Sequence, residues 1–231
     1  MPKLRHTRGS FDRIVILTAS VALLIAGTAT AVIEAQPFLA FSGSDSERLV
    51  ELERLQSPII QSLVGRRVVL DTCVWVTTSV FGRLADPERR KLVVANCRSF
   101  ATGTLAEYPT HSFAAYVLAL EAAAETDQAS FVAALIRSQE TGQNEEWIAE
   151  LRVSLAEDHF DWLSATAIAG YHQDLATLAQ TIRGTALIAK RYVADASFRI
   201  TITDVVATLP VAVQRSFLKE VERLSKKVRA D

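Results

Sequence analysis

The chain is poor in the signatures of chemistry. It contains no G-x-S-x-G, no H-E-x-x-H, no phosphate-binding P-loop and no G-x-G-x-x-G. Its nine glycines stand singly, so no loop is built to cradle a phosphate. Only two cysteines occur, Cys73 and Cys97, too far apart for a C-x-x-C redox or zinc pair. An excess of positive charge is missing as well. Once the four basic residues and one acid before residue 34 are set aside, 21 Lys+Arg face 25 Asp+Glu, a net charge of −4. That balance does not advertise binding to nucleic acid or to an anionic surface. Prolines are few, and long apolar–polar alternation is hard to find, whereas Ala, Leu, Val and Ile dominate. An all-α chain is the expected fold class.

One long hydrophobic run is present. Residues 14–33 read IVILTASVALLIAGTATAVI, without a charge or a proline. At about 1.5 Å per helical residue, this run covers the roughly 30 Å of a bilayer's hydrocarbon core. Its threonines and serine can hydrogen-bond back to the preceding turn and so cost little there. Lys3, Arg5, Arg8 and Arg13 precede the run against a single acid, Asp12, while Glu34, Asp45 and Glu47 follow it. The positive-inside rule then places residues 1–13 in the cytoplasm and the rest of the chain beyond the membrane. The competing reading is a cleaved secretory signal, with Ala29-Thr30-Ala31 as an A-x-A site. The run is longer than a usual signal core of about 7–15 residues, which favours an uncleaved anchor. The expected location is the inner membrane of a bacterial-type envelope, single-pass, with the C-terminal domain periplasmic.

Outside the cytoplasm a disulfide persists, and Cys73 and Cys97 are read as one bridge closing a loop of about 25 residues. Two buried free thiols are the alternative. Residues 34–47 read as a linker, and residues 48–231 as the all-helical domain, with a sub-boundary near 103–109. Ser44 or Asp45 caps the next helix, whose Leu49, Leu52 and Leu55 suit a stalk or a dimerising seam, so self-association into a homodimer is one expectation. Ser57-Pro58 should break it and Gly65 end the segment that follows. Residues 68–81, VVLDTCVWVTTSVF, have the β-branched density of a strand but no hairpin partner, and are read as helix. Asp86-Pro87-Glu88 is a capped helix start, with its helix running to about Phe100 and a break at Thr102-Gly103. An antiparallel pair joined near residues 82–86 brings Cys73 and Cys97 to one height.

After Tyr108-Pro109-Thr110, Phe113, Tyr116, Val117, Leu120 and Ala124 form one helical stripe. A second helix carries Phe131, Leu135 and Ile136. A third, capped by Asn144, carries Glu145 and Glu146 in its first turn and Trp147, Ile148, Leu151 and Leu155 on its apolar face. Phe113 and Trp147 each open a helix, 34 residues apart, and Ala129, Ala133 and Ala134 enrich the helix between them. On these features residues 109–158 resemble a tetratricopeptide-type helical-hairpin repeat. The resemblance departs from the family pattern in two places. Tyr116-Val117 replaces the Leu-Gly pair, and Thr141-Gly142 stands where the closing proline belongs. It implies a protein-binding helical array, spanning about one and a half repeats.

Beyond His159, Asp161 or Ser164 starts a segment that Gly170 interrupts, and a second stripe, Leu175 to Ile182, ends near Gly184. Asp195 caps the next helix, with a strand over residues 198–209 as the minority reading. Pro210 opens a last helix whose Lys226-Lys227-Val228-Arg229 end complements the helix dipole.

No catalytic, cofactor-binding or metal-ligating residue is assigned. Asp158, His159, Asp161 and His172 hold ligand types for zinc, but their spacing is better explained as a solvated helix boundary. Tyr116, Trp147 and Arg152 are the candidate contacts for a partner, with packing of Trp147 and an exposed ion pair of Arg152 as the plainer alternatives. The expected function is a non-enzymatic envelope scaffold or assembly factor. It is held by the membrane through residues 14–33 and binds protein partners through the helical domain. The alternative is a hydrolase of peptidoglycan or polysaccharide that uses Glu145, Glu146 or Asp161.

Overall fold

Short polar residues start most of the helices. Ser62, Ser79, Asp86, Asp127, Ser164, Thr181 and Asp195 each accept a hydrogen bond from an otherwise unpaired amide of the first turn. The computed structural model describes residues 7–55 and 62–230, and every regular element there is helical. In order these are α1 (Thr7–Ala40), α2 (Asp45–Glu53), α3 (Leu63–Thr78), α4 (Val80–Leu84), α5 (Pro87–Glu107) and α6 (Ser112–Ala124). There follow α7 (Gln128–Thr141), α8 (Glu146–Asp158), a 3-10 turn at Phe160–Trp162, α9 (Ala165–Ala179), α10 (Ile182–Ala194), α11 (Ala196–Ala207) and α12 (Val211–Ala230).

Within α1, Val15–Ala40 is long and apolar enough to cross a membrane, and nothing packs against its most apolar window. Thr18, Thr28 and Thr30 donate their hydroxyls to carbonyls three or four residues back. The helix does not stop at Ile33. It continues through Pro37 to Ala40, so the linker expected over residues 34–47 shrinks to residues 41–44. Pro37 is buried, Ile33 and Glu34 are half-buried, and α1 packs on α3, which explains why the helix persists through a proline.

Several sequence expectations give way to tertiary packing. Gly65 lies in the first turn of α3 rather than ending a helix, and Gly103 and Gly170 lie inside α5 and α9. The break expected at Thr102-Gly103 falls instead at Tyr108, the C-cap of α5. Glu145, not Asn144, is the N-cap of α8, and Gly184 stands in the first turn of α10. Residues 198–207 are helix, not strand. The β-branched run of α3 is helix too, with Thr72, Thr77 and Thr78 bonded to the carbonyls of Val68, Cys73 and Val74. The proposed stalk is no stalk: Leu49 and Leu52 are buried, and α2 packs on α5 and α3. The break expected at Ser57-Pro58 lies outside the described residues.

The buried apolar side chains form one continuous core from Phe41 to Phe217, so residues 103–109 do not divide two cores. Cys73 and Cys97 are bonded, joining α3 to α5 with their Cα atoms 5.8 Å apart. The most extensive helix pairing is α6 with α7, followed by α10 with α12, α5 with α6 and α8 with α9. Helices α6, α8 and α10 begin at Ser112, Glu146 and Ile182, steps close to the 34 residues that separate Phe113 from Trp147.

Candidate interaction groove

Helix α3 lies against α6 and leaves an open cleft at each of its ends. The larger, about 760 Å³, lies where the end of α3, α4 and the start of α5 meet the ends of α6 and α8. Apolar lining comes from Val76, Val93, Leu120 and Leu155. Helices α4 and α5 add Arg83, Arg90 and Lys91 as well as Glu88, whereas α6 and α8 add Glu125, Asp158 and His159. The groove is thus apolar within and carries opposite charges on its two sides. Of the acids, Glu125 is held by Arg98 at 2.6 Å.

The smaller cleft, about 430 Å³, lies at the other end of α3. Leu63, Val64 and Arg67 of α3 meet His111, Phe113, Glu145 and Trp147 there. Trp147 packs edge-on against Phe113 with ring centroids 4.9 Å apart, and the Arg67 guanidinium lies 4.0 Å from its ring. Glu145 accepts a hydrogen bond from Ser112 Oγ at 2.9 Å. His111 Nδ1 accepts the amide of Ala114, and burial holds its pKa below the ordinary histidine value.

Of the three residues expected to touch a partner, only Trp147 reaches an open cleft. Tyr116 is buried at 3% exposure, stacked on Phe113, and desolvation raises its pKa. Arg152 is at 0% exposure, which corrects both its role as a contact and the exposed ion pair offered in its place. Its Nε donates to Asp174 Oδ2 at 2.9 Å, and its Nη atoms donate to the carbonyls of Ser138 and Gly142, each at 3.0 Å. Those carbonyls lie at the C-terminal end of α7, where each also accepts a backbone amide and where a cation complements the helix dipole. Ser138 Oγ in turn donates to the Ser112 carbonyl at 2.9 Å, so one arginine links α6, α7, α8 and α9. Burial raises the pKa of Asp174, and Arg152 works against that rise.

A second buried acid escaped the sequence reading. Glu121 of α6 is fully buried, with Oε1 hydrogen-bonded to Thr77 at 3.0 Å and Oε2 without a partner. Burial pushes its pKa to about 8. It sits between helices rather than in either cleft. The zinc-type cluster does not assemble, and no group of three or more potential metal ligands occurs among the described residues. His159 packs between Phe131 and Trp162.

Polar contacts repeat at one separation along α6 to α10. Gln128 bonds the carbonyl of Trp162 and Thr177 that of Gln143, both 34 residues apart. Arg191 pairs with Glu157 at the same separation, and Arg183 with Glu150 at 33. No family model, curated protein or solved structure matches the chain.

Proposed function

We propose that the protein is a single-pass, membrane-anchored scaffold of a bacterial-type envelope, docking a protein partner in the large groove of an extracytoplasmic helical domain. The observation that carries this reading is the groove itself. Its apolar lining and oppositely charged sides suit an amphipathic peptide or helix, and its volume is in the range of binding clefts. The recurring contacts at separations of 33 and 34 support a tetratricopeptide-like stack over α6 to α10. The basic N-terminal segment and the Cys73–Cys97 bridge support the same topology, since disulfides persist in oxidising compartments.

The competing hydrolase reading draws on the smaller cleft, where Glu145, His111 and Trp147 meet. Glycoside cleavage by carboxylates uses two acids across the bond, and Glu145 is the one carboxylate among the described residues lining that cleft. The scaffold is tested with a photoreactive amino acid placed at Ser154 in the groove or at the exposed Ile200 of α11, in cells. A discrete protein adduct from position 154 and none from 200 supports docking in the groove. Adducts to glycan, together with loss of turnover on peptidoglycan fragments in Glu145→Gln, would establish the hydrolase instead.

A further inference from the structure

We infer that α4 is a membrane foot: a one-turn helix that rests in the phospholipid interface beside the anchor. The inference relies on the reading of α1 as a membrane anchor. Val80, Phe81 and Leu84 are 64%, 40% and 81% exposed, although they are large apolar side chains. At spacings i, i+1 and i+4 they fall on one face of the turn. Gly82 points the opposite way, into α3, where a Cβ would stand 1.7 Å from the Val76 carbonyl. Only glycine therefore lets α4 fold down on α3 and turn its apolar face outward.

The contacts around this face lead to the end of α1. Phe81 stacks on Trp75, with ring centroids 5.9 Å apart. The Arg48 guanidinium lies 5.6 Å from the Trp75 ring, and its Nε donates to the Phe41 carbonyl at 3.1 Å. Phe41 directly follows α1, whose last turn exposes Phe38 and Leu39. The connection beyond α1 is only four residues, and α1, in whose last turns Pro37 is buried, packs on α3. The domain is thus seated on the anchor rather than tethered at a distance. A tryptophan stacked on a phenylalanine beside an arginine, Arg48, is the composition of a headgroup-level belt, where aromatic rings sit and cations meet phosphate. The bilayer that α1 enters is the occupant this face fits.

The test uses the full chain reconstituted in vesicles of phosphatidylcholine and phosphatidylglycerol. An environment-sensitive fluorophore is attached to a cysteine introduced at Leu84, Leu24 or Ile200, with the native disulfide intact. Quenching by brominated lipid is expected at positions 84 and 24 and not at 200. Quenching at 24 alone overturns the foot while leaving the anchor in place. Absence of quenching at both 24 and 84 overturns the anchored reading and the foot with it. Shielding of position 84 that appears only at high protein-to-lipid ratio, without quenching by lipid, overturns the foot in favour of contact with a second copy.

Discussion

Residues 45–107 and residues 112–207 contribute to one core, yet they are held together by different means. Among its described residues, the first region has helices of unequal length, 9, 16, 5 and 21 residues. A covalent bond joins its two long helices, and individual polar links complete it. Asn96 donates to the carbonyls of Leu52 and Glu53, and Arg66 pairs with Glu107. In the second region α6 to α11 are 12 to 15 residues long, and polar contacts recur at separations of 33 or 34. In the proposed stack, uniform helices form an interface without a covalent cross-link, with Arg152 as an internal tie. Irregular helices lack that economy, and the disulfide restricts their unfolded chain instead.

The largest expected effect comes from cutting the internal tie. Arg152→Ala leaves Asp174 buried without its cation and strips the Ser138 and Gly142 carbonyls of their second donor. A loss of about 3–5 kcal/mol is expected, measured as a fall in the denaturation midpoint of the full chain in detergent. The seam between the regions is sharpened by pH. Glu121, on α6 against Thr77 of α3, has a folded pKa of about 8 against an ordinary 4.5. The folded state therefore holds this proton after the unfolded chain has released it. Stability should fall as pH rises from about 5 to 8, by at most about 1.4 kcal/mol per pH unit, and Glu121→Gln should flatten that slope in pH-dependent denaturation. Removing the clamp with Cys73→Ala and Cys97→Ala together should cost about 3 kcal/mol. Hydrogen exchange should locate that loss in α3 and α5 first.

Much of this was legible in the residues. The all-α class followed from composition and periodicity, and the bridge between Cys73 and Cys97 was expected from the topology and two cysteines at moderate separation, with a helix pair levelling them in support. Trp147, expected on the apolar face of its helix, packs edge-on against Phe113 and lines the smaller cleft. Tyr116 and Arg152 were misplaced although the signal was present. Tyr116 belongs to the stripe of Phe113, Val117 and Leu120, and Arg152 falls at i+4 from Ile148 and i−3 from Leu155, on the buried face. Glu121, four residues beyond Val117, carries the same signal. A charge on an apolar stripe is a buried charge with a partner elsewhere, and Asp174 is that partner for Arg152. The partner itself was not legible, because its position depends on how separate hairpins stack. Gly65, Gly103 and Gly170 failed as helix breaks for a related reason: the cost of a glycine within a helix, about 1 kcal/mol, is outweighed by packing. The course of α1 past Ile33 depends on α3, which begins 23 residues beyond the end of α1 at Ala40.

The comparison rests on the proposed stack of hairpins, and native-state hydrogen exchange of the full chain in detergent tests it most directly. A stack on a clamped base opens from its free end. Amides of α10 to α12 should exchange at the lowest opening free energy, those of α8 and α9 next, and those of α3, α5 and α6 last. A single opening free energy shared by all these helices would contradict the stack and describe one undivided bundle.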